Sequence, residues 1–157
     1  MIAVWLAMLM TSCSVPARTP EQLREIADAL PIPPAIHLLD TRTGTESLHQ
    51  DPRCWSNYLF RVYATESMDL DEVLKYFQEH LSEGGWSQVE IQHIPSKGMD
   101  GLTAVSLDRV MIEVSNNYRF VVFPGVSVVD EVKKHKTLVF VGLTQRSESG
   151  PTTLLCN

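Results

Sequence analysis

Apolar and polar positions alternate along this chain with two different periods, and the change of period marks out its elements. Leu70, Val73, Leu74, Phe77 and Leu81 recur at helical spacing, so residues 70–81 are expected to form an amphipathic helix with one buried stripe. Asp69 with Glu72 three positions on supplies a capping-box pair at its start, and Gly84-Gly85 supplies a left-handed stop. A shorter helix is expected from Thr19-Pro20-Glu21 to about Leu30. Thr19 can cap it, Pro20 suits the first helical position, and Leu23, Ile26, Ala27 and Leu30 form a modest stripe. Pro31-Ile32-Pro33-Pro34 ends it. Together with Ser14 to Arg18, this helix reads as a tether and a loosely docked element.

Elsewhere the period is two. Cys54 to Ala64 is rich in aromatic and β-branched residues and long enough for a central strand, with Trp55, Leu59 and Tyr63 on one face and Tyr58, Phe60 and Val62 on the other. Ala35 to Leu39 predicts a short strand, and the polar stretch Thr41 to Pro52, containing Gly44 and Asp51-Pro52, predicts a loop. Ser87 to Ile94 alternates, and Lys97-Gly98-Met99-Asp100-Gly101 is expected to turn. In Leu102 to Val114 the apolar parity changes: Val105 and Leu107 share one phase, and Val110, Ile112 and Val114 the other. A bulge or tight turn is therefore expected at Asp108-Arg109. Asn116-Asn117 separates this run from Arg119 to Phe123 by two residues that tolerate positive φ. Pro124 to Lys136 reads as a connection, and Thr137 to Thr144 as a final apolar strand.

One strand, one long helix and then several consecutive strands point to an α+β fold. The expected architecture is an antiparallel sheet of about five strands, with one main amphipathic helix packed on one face and a short N-terminal helix beside it. The pattern Phe77-x-x-x-Leu81-x-x-x-Gly85-Trp86 resembles small strand-helix-strand modules of uncharacterised bacterial lipoproteins over about Cys54 to Thr144. That resemblance implies a fold and no reaction.

Met1 to Met10 forms a compact apolar run, and Thr11-Ser12-Cys13 follows it. The run is too short for a permanent membrane helix, which needs roughly 20 apolar residues, and suits a cleaved export signal. Met10-Thr11-Ser12-Cys13 resembles the lipobox of bacterial lipoprotein precursors, with Met10 where leucine is usual and no basic residue before it. The resemblance implies cleavage before Cys13, acylation of Cys13 and attachment to membrane lipid, with the domain outside the cytoplasm. Ser14 after the cysteine, rather than aspartate, implies the outer membrane in a Gram-negative cell. Two other readings remain: cleavage at Val15-Pro16-Ala17 releasing a soluble chain that starts at Arg18, and retention of the segment as an anchor or buried strand.

The implied layout is a signal peptide at 1–12, a lipid-anchored tether with a short helix at 13–34, and a single globular α+β domain at 35–157. About 145 residues after the signal are enough for one domain with a sizeable core. The net charge of −6 is unaffected by cleavage, because the segment removed carries no charge. That acidity argues against nucleic acid as a partner. With Cys13 committed to lipid, Cys54 and Cys156 remain as a candidate disulfide in an oxidising compartment. It would close a loop of about 100 residues and stabilise by roughly 4–5 kcal/mol in the chain-entropy account. Two unpaired cysteines are the alternative.

Motifs of known chemistry are absent. The chain has no glycine-rich phosphate loop, no G-x-S-x-G turn, no H-E-x-x-H and no C-x-x-C. His37, His49, His80, His93 and His135 show no metal-ligand spacing, so no metal and no cofactor are expected. His80 and Glu83 can meet on one helix face, as ordinary exposed pairs do. Asp69-Leu70-Asp71-Glu72 complements a helix dipole, and Lys133-Lys134-His135-Lys136, the sole basic cluster, reads as a solvated loop rather than a lipid-headgroup site. Trp55, Tyr58, Phe60 and Tyr63 have the spacing of sheet packing rather than of a ligand wall.

Two function classes follow. The first is a non-enzymatic envelope lipoprotein that binds or positions an envelope protein partner, with no catalytic residue. The second is a small periplasmic hydrolase or metal-dependent enzyme assembled from His80, His93, Asp100 and Asp108, which requires at least three of these around one pocket.

Overall fold

The computed structural model describes residues 18–47, 55–94, 99–106, 109–116 and 123–145. In chain order the elements are α1 (Pro20–Asp28), β1 (His37–Ser47), β2 (Trp55–Thr65), α2 (Leu70–Glu83), β3 (Ser87–Ile94), β4 (Met99–Val105), β5 (Val110–Ser115), α3 (Val128–Lys134) and β6 (Thr137–Gln145). The class is α+β, as the periodicities imply. The strands form one six-stranded sheet in the order β1-β2-β6-β5-β4-β3, every neighbouring pair antiparallel.

The two helices expected from sequence form for the reasons their ends suggest. Thr19 accepts from the Gln22 backbone N–H while the Gln22 side chain accepts from Thr19 N–H, a capping box closed at both ends. Asp69 and Glu72 do the same for α2. Gly85, at φ +83°, turns the chain out of α2 towards β3.

Several expectations are corrected. The sheet has six strands rather than about five. Between β4 and β5, which pair antiparallel, Ser106 N–H donates to the Val110 carbonyl and Arg109 takes the left-handed φ of 63°, where a bulge or tight turn was expected. Gly101, expected in a turn, is an interior residue of β4 paired with Ser115. The polar stretch from Thr41 was expected to loop, yet β1 runs through it to Ser47 because an edge strand needs few apolar residues. The connection before β6 carries a third helix, α3, whose stripe was too short to register. Asn117, Asp108 and the segment 119–122 lie outside the described residues, as do Cys13, Cys54 and Cys156.

The main core lies on one face of the sheet. Val73, Leu74, Phe77 and Leu81 of α2 meet Leu59 and Tyr63 of β2, Leu102 and Ala104 of β4, Val110, Ile112 and Val114 of β5, and Val139, Val141 and Leu143 of β6. Helix α1 is part of this layer rather than loosely docked, because Leu23 and Ala27 are fully buried in it. The opposite face holds a smaller cluster of Val62, Ala64, Phe123, Leu138 and Phe140, with Val126 and Val128 leading into and opening α3. Leu59 and Tyr63 on one face and Phe60 and Val62 on the other match the alternation read from sequence.

Candidate functional site

Where the strands begin and end sorts the polar groups into two ends of the sheet. Asn57 and Gln145 mark the lower end, and His37, Thr65 and Thr137 the upper. Eight residue steps along β2 separate them, about 26 Å.

At the lower end the chain enters the described structure at Arg18. Its backbone N–H donates to the Gln145 side chain at 2.6 Å, and its carbonyl accepts from Asn57 Nδ2 at 2.7 Å. The chain is thus fixed five residues after Cys13.

Under α1 lies a polar group set within the main core face. Arg61 sits on β2 between Leu59 and Tyr63 and is only 7% exposed. Its stem is buried and its guanidinium reaches the rim, where it pairs with Asp28 at the end of α1. Burial opposes the charge, but the bonds to Asp28 and to the Tyr63 hydroxyl more than offset this and raise the Arg61 pKa. Burial also pushes the Tyr63 phenol above its ordinary value. Arg61 Nε has no hydrogen-bond partner among the described residues. The pair ties helix to sheet.

At the upper end, residues distant in sequence come together. His135, 15% exposed at its side chain, follows α3. Its Nδ1 faces Glu66, just after β2, and its Nε2 faces Glu131 of α3 at 2.8 Å. The His37 ring stands edge-on at 5.5 Å. Lys134 bonds Glu131 at 2.7 Å, Lys136 Nζ donates to the Ser67 carbonyl at 3.1 Å, and Lys133 lies 4.0 Å from Asp130. The basic cluster is therefore matched locally by carboxylates and a carbonyl. The Glu66 hydrogen bond leads in raising the His135 pKa above its ordinary 6.5, with burial opposing and Glu131 adding to it. Bonds from Lys134 and then His135 lower the Glu131 pKa.

Of the residues weighed for an enzyme, the structure brings together His93 and Asp100, cross-strand partners on β3 and β4. His93 is 69% exposed. His80 instead has Nδ1 at 2.8 Å from the Tyr76 carbonyl and stacks on the Tyr76 ring at 3.9 Å, so it is spent on its own helix. Asp108 lies outside the described residues. Among the described residues no group of three His, Cys, Asp or Glu could hold a metal ion. Glu66 and Glu131 escaped the sequence reading, since each meets His135 only through the fold, Glu66 across 69 positions.

The half of the second face that α3 leaves uncovered has its own texture. Tyr58 crosses to Gly44 on β1, and Phe60 crosses to Gly142 on β6, where a Cβ would come within 2.6 Å of the ring. The two rings lie 5.0 Å apart, with the Arg42 guanidinium 5.7 Å from the Tyr58 centroid. A depression of about 160 Å³ beyond them is lined by Gln92, Asp100, Gly101, Thr103, Glu113 and Ser115 among others. This surface can hydrogen-bond and stack, and within it the Ser115 hydroxyl donates to Glu113 Oε1 at 3.3 Å.

The fold and these groups define an α+β domain whose two helices α1 and α2 cover the main core face of the sheet, the other face being partly open. No protein-family model matches the chain, and neither the curated proteins nor the solved structures return a match.

Proposed function

We propose that this chain is a bacterial envelope lipoprotein, anchored by lipid on Cys13, whose domain binds or positions another envelope component without catalysing a reaction. The observation that carries the reading is Met10-Thr11-Ser12-Cys13 directly after an apolar run too short to span a bilayer. One structural feature supports it. The five residues from Cys13 to Arg18 reach at most about 18 Å, which would hold the lower end of the sheet near the lipid surface. The upper end, with His135 and the His93–Asp100 pair, would then face away from it. In a Gram-negative cell, Ser14 favours the outer membrane, with the domain facing the periplasm.

The second reading, a small periplasmic hydrolase or metal-dependent enzyme, draws on the His93–Asp100 pair alone. A His-carboxylate pair orients an imidazole, but a reaction also needs a nucleophile or metal within reach.

Intact mass of the chain recovered from a bacterial membrane fraction, before and after reduction, tests the proposal. The expected species starts at an acylated Cys13 and gains about two mass units when a Cys54–Cys156 bridge opens. A chain starting at Arg18, or one that keeps Met1, would overturn the lipid anchor. No mass gain on reduction would remove the disulfide alone.

A further inference from the structure

Helix α3 has seven residues, none of them buried. It nevertheless closes one end of the second core cluster: Val128 at its first position and Val126 just before it pack against Val62, Ala64, Phe123, Leu138 and Phe140. With so little apolar area of its own, the helix depends on its polar ties. Those ties converge on one imidazole.

Both nitrogens of His135 face carboxylate oxygens, Glu66 on Nδ1 and Glu131 on Nε2. A carboxylate only accepts, and a neutral imidazole carries a single N–H, so only the imidazolium can donate to both. We propose that α3 is a pH-operated flap, latched over the second core cluster when His135 is protonated and released from Glu66 when it loses that proton to solvent. This inference is independent of the lipid anchor.

The surrounding charges are arranged to let one group decide. From α3, Glu131 faces the ring and is itself held by Lys134, while Asp130 and Lys133 approach each other. From the turn after β2, Glu66 faces it. From β1 comes the edge of His37, a second titratable ring. From the start of β6, Lys136 is directed to the Ser67 carbonyl. When the proton leaves, Lys134 still satisfies Glu131 within α3. Among the described residues Glu66 has no such substitute, and it is the one of the two carboxylates that lies outside α3.

The sign follows from the direction of the shift. A histidine whose folded pKa is raised contributes its full stabilisation below the unfolded value, near 6.5, and loses it as pH climbs through the raised folded value. The flap is therefore closed in mild acid and loosens in mild alkali. At the acid end the latch persists until its carboxylates protonate, which for Glu131 lies below the ordinary range.

The test is amide hydrogen exchange on the full chain between pH 5.5 and 8.5, corrected for intrinsic exchange, together with an NMR titration of the His135 ring. Protection of the Glu131 and His135 amides, which close α3 onto Ser127 and Glu131, should fall about tenfold across the range, while β6 amides hold steady. His135→Gln should make α3 protection flat with pH. Glu66→Gln, a change at an exposed side chain, should lower the ring's titration midpoint and loosen α3 even at pH 5.5. Protection that is constant with pH in the native chain, pH dependence that survives in His135→Gln, or an unchanged midpoint in Glu66→Gln would each overturn the proposal.

Discussion

Among the described residues, eighteen buried ones form one continuous cluster on the face of the sheet under α1 and α2, and five do on the other face, gathered under α3 and its lead-in. Both faces are made by the same strands, so the contrast comes from what the connections carry. The chain between β2 and β3 must cross three intervening strands, and α2 spans that distance with an apolar stripe. The excursion between β5 and β6 joins immediate neighbours, so nothing obliges it to cover the sheet. The first face is held by area and the second by a few directed contacts. That difference should be visible as a gradient in the cost of disturbing each.

The largest effect is expected at Phe77, fully buried at the centre of the first face. Phe77→Ala should cost about 3–5 kcal/mol in urea unfolding, the range for an aromatic ring removed from a rigid core. A loss below 1 kcal/mol would mean that α2 does not bear on the sheet as described.

Next comes Gly142, where the second face is closed by a ring in place of a helix. Gly142→Ala pushes a methyl into Phe60 Cε1 and should cost about 1–3 kcal/mol through overpacking. Gly142→Ala combined with Phe60→Leu should recover part of that loss, since the clash is with the ring; no recovery would locate the cost in the backbone.

The Arg61–Asp28 pair belongs to the first face but obeys different physics. Asp28→Ala should cost about 1 kcal/mol, modest because the Asp28 side chain is 63% exposed and its pairing is screened by water. Arg61→Met, which removes the buried charge and keeps the apolar stem, should be near neutral by the same measurement. If Arg61→Met is the more damaging, the guanidinium is doing more than tying α1 to β2.

These regions differ also in how much of them could be read before folding. The long helix was legible to its caps because its signals are local: Asp69 and Glu72 lie within one turn, and each stripe residue lies within about a turn of the next. The face assignment of Leu59, Phe60, Val62 and Tyr63 was legible because a period of two leaves only one choice. Edge strand β1 was hidden, since Thr41, Arg42, Thr43 and Gly44 make a half-solvated strand whose pairing with β2 is a long-range fact. Helix α3 was hidden for the opposite reason, being too short for periodicity to accumulate. The His135 cluster was legible in part. Its basic residues stand together in sequence, where they read as a solvated loop, whereas the structure places Lys133 and Lys134 in α3, and Glu66 enters only through the fold. Arg61 was legible as a residue out of place on an apolar face, a signal that went unread.

The smallest effect is expected on the outside of α3, and it bears most directly on the comparison. Val129 is 65% exposed and Val132 43% exposed, so they contribute little to either cluster. Val129→Ser should change stability by no more than about 0.5 kcal/mol, and the pH dependence of α3 protection should be the same as in the native chain. The apolar contact that α3 makes runs through Val128 and its lead-in Val126, not through Val129. A change at Val128 should therefore loosen the helix at every pH, whereas the loss of His135 should loosen it only where the imidazolium forms. A marked loss in Val129→Ser would move α3 from the second class of contact into the first, and the sheet would then have two faces secured by the same force.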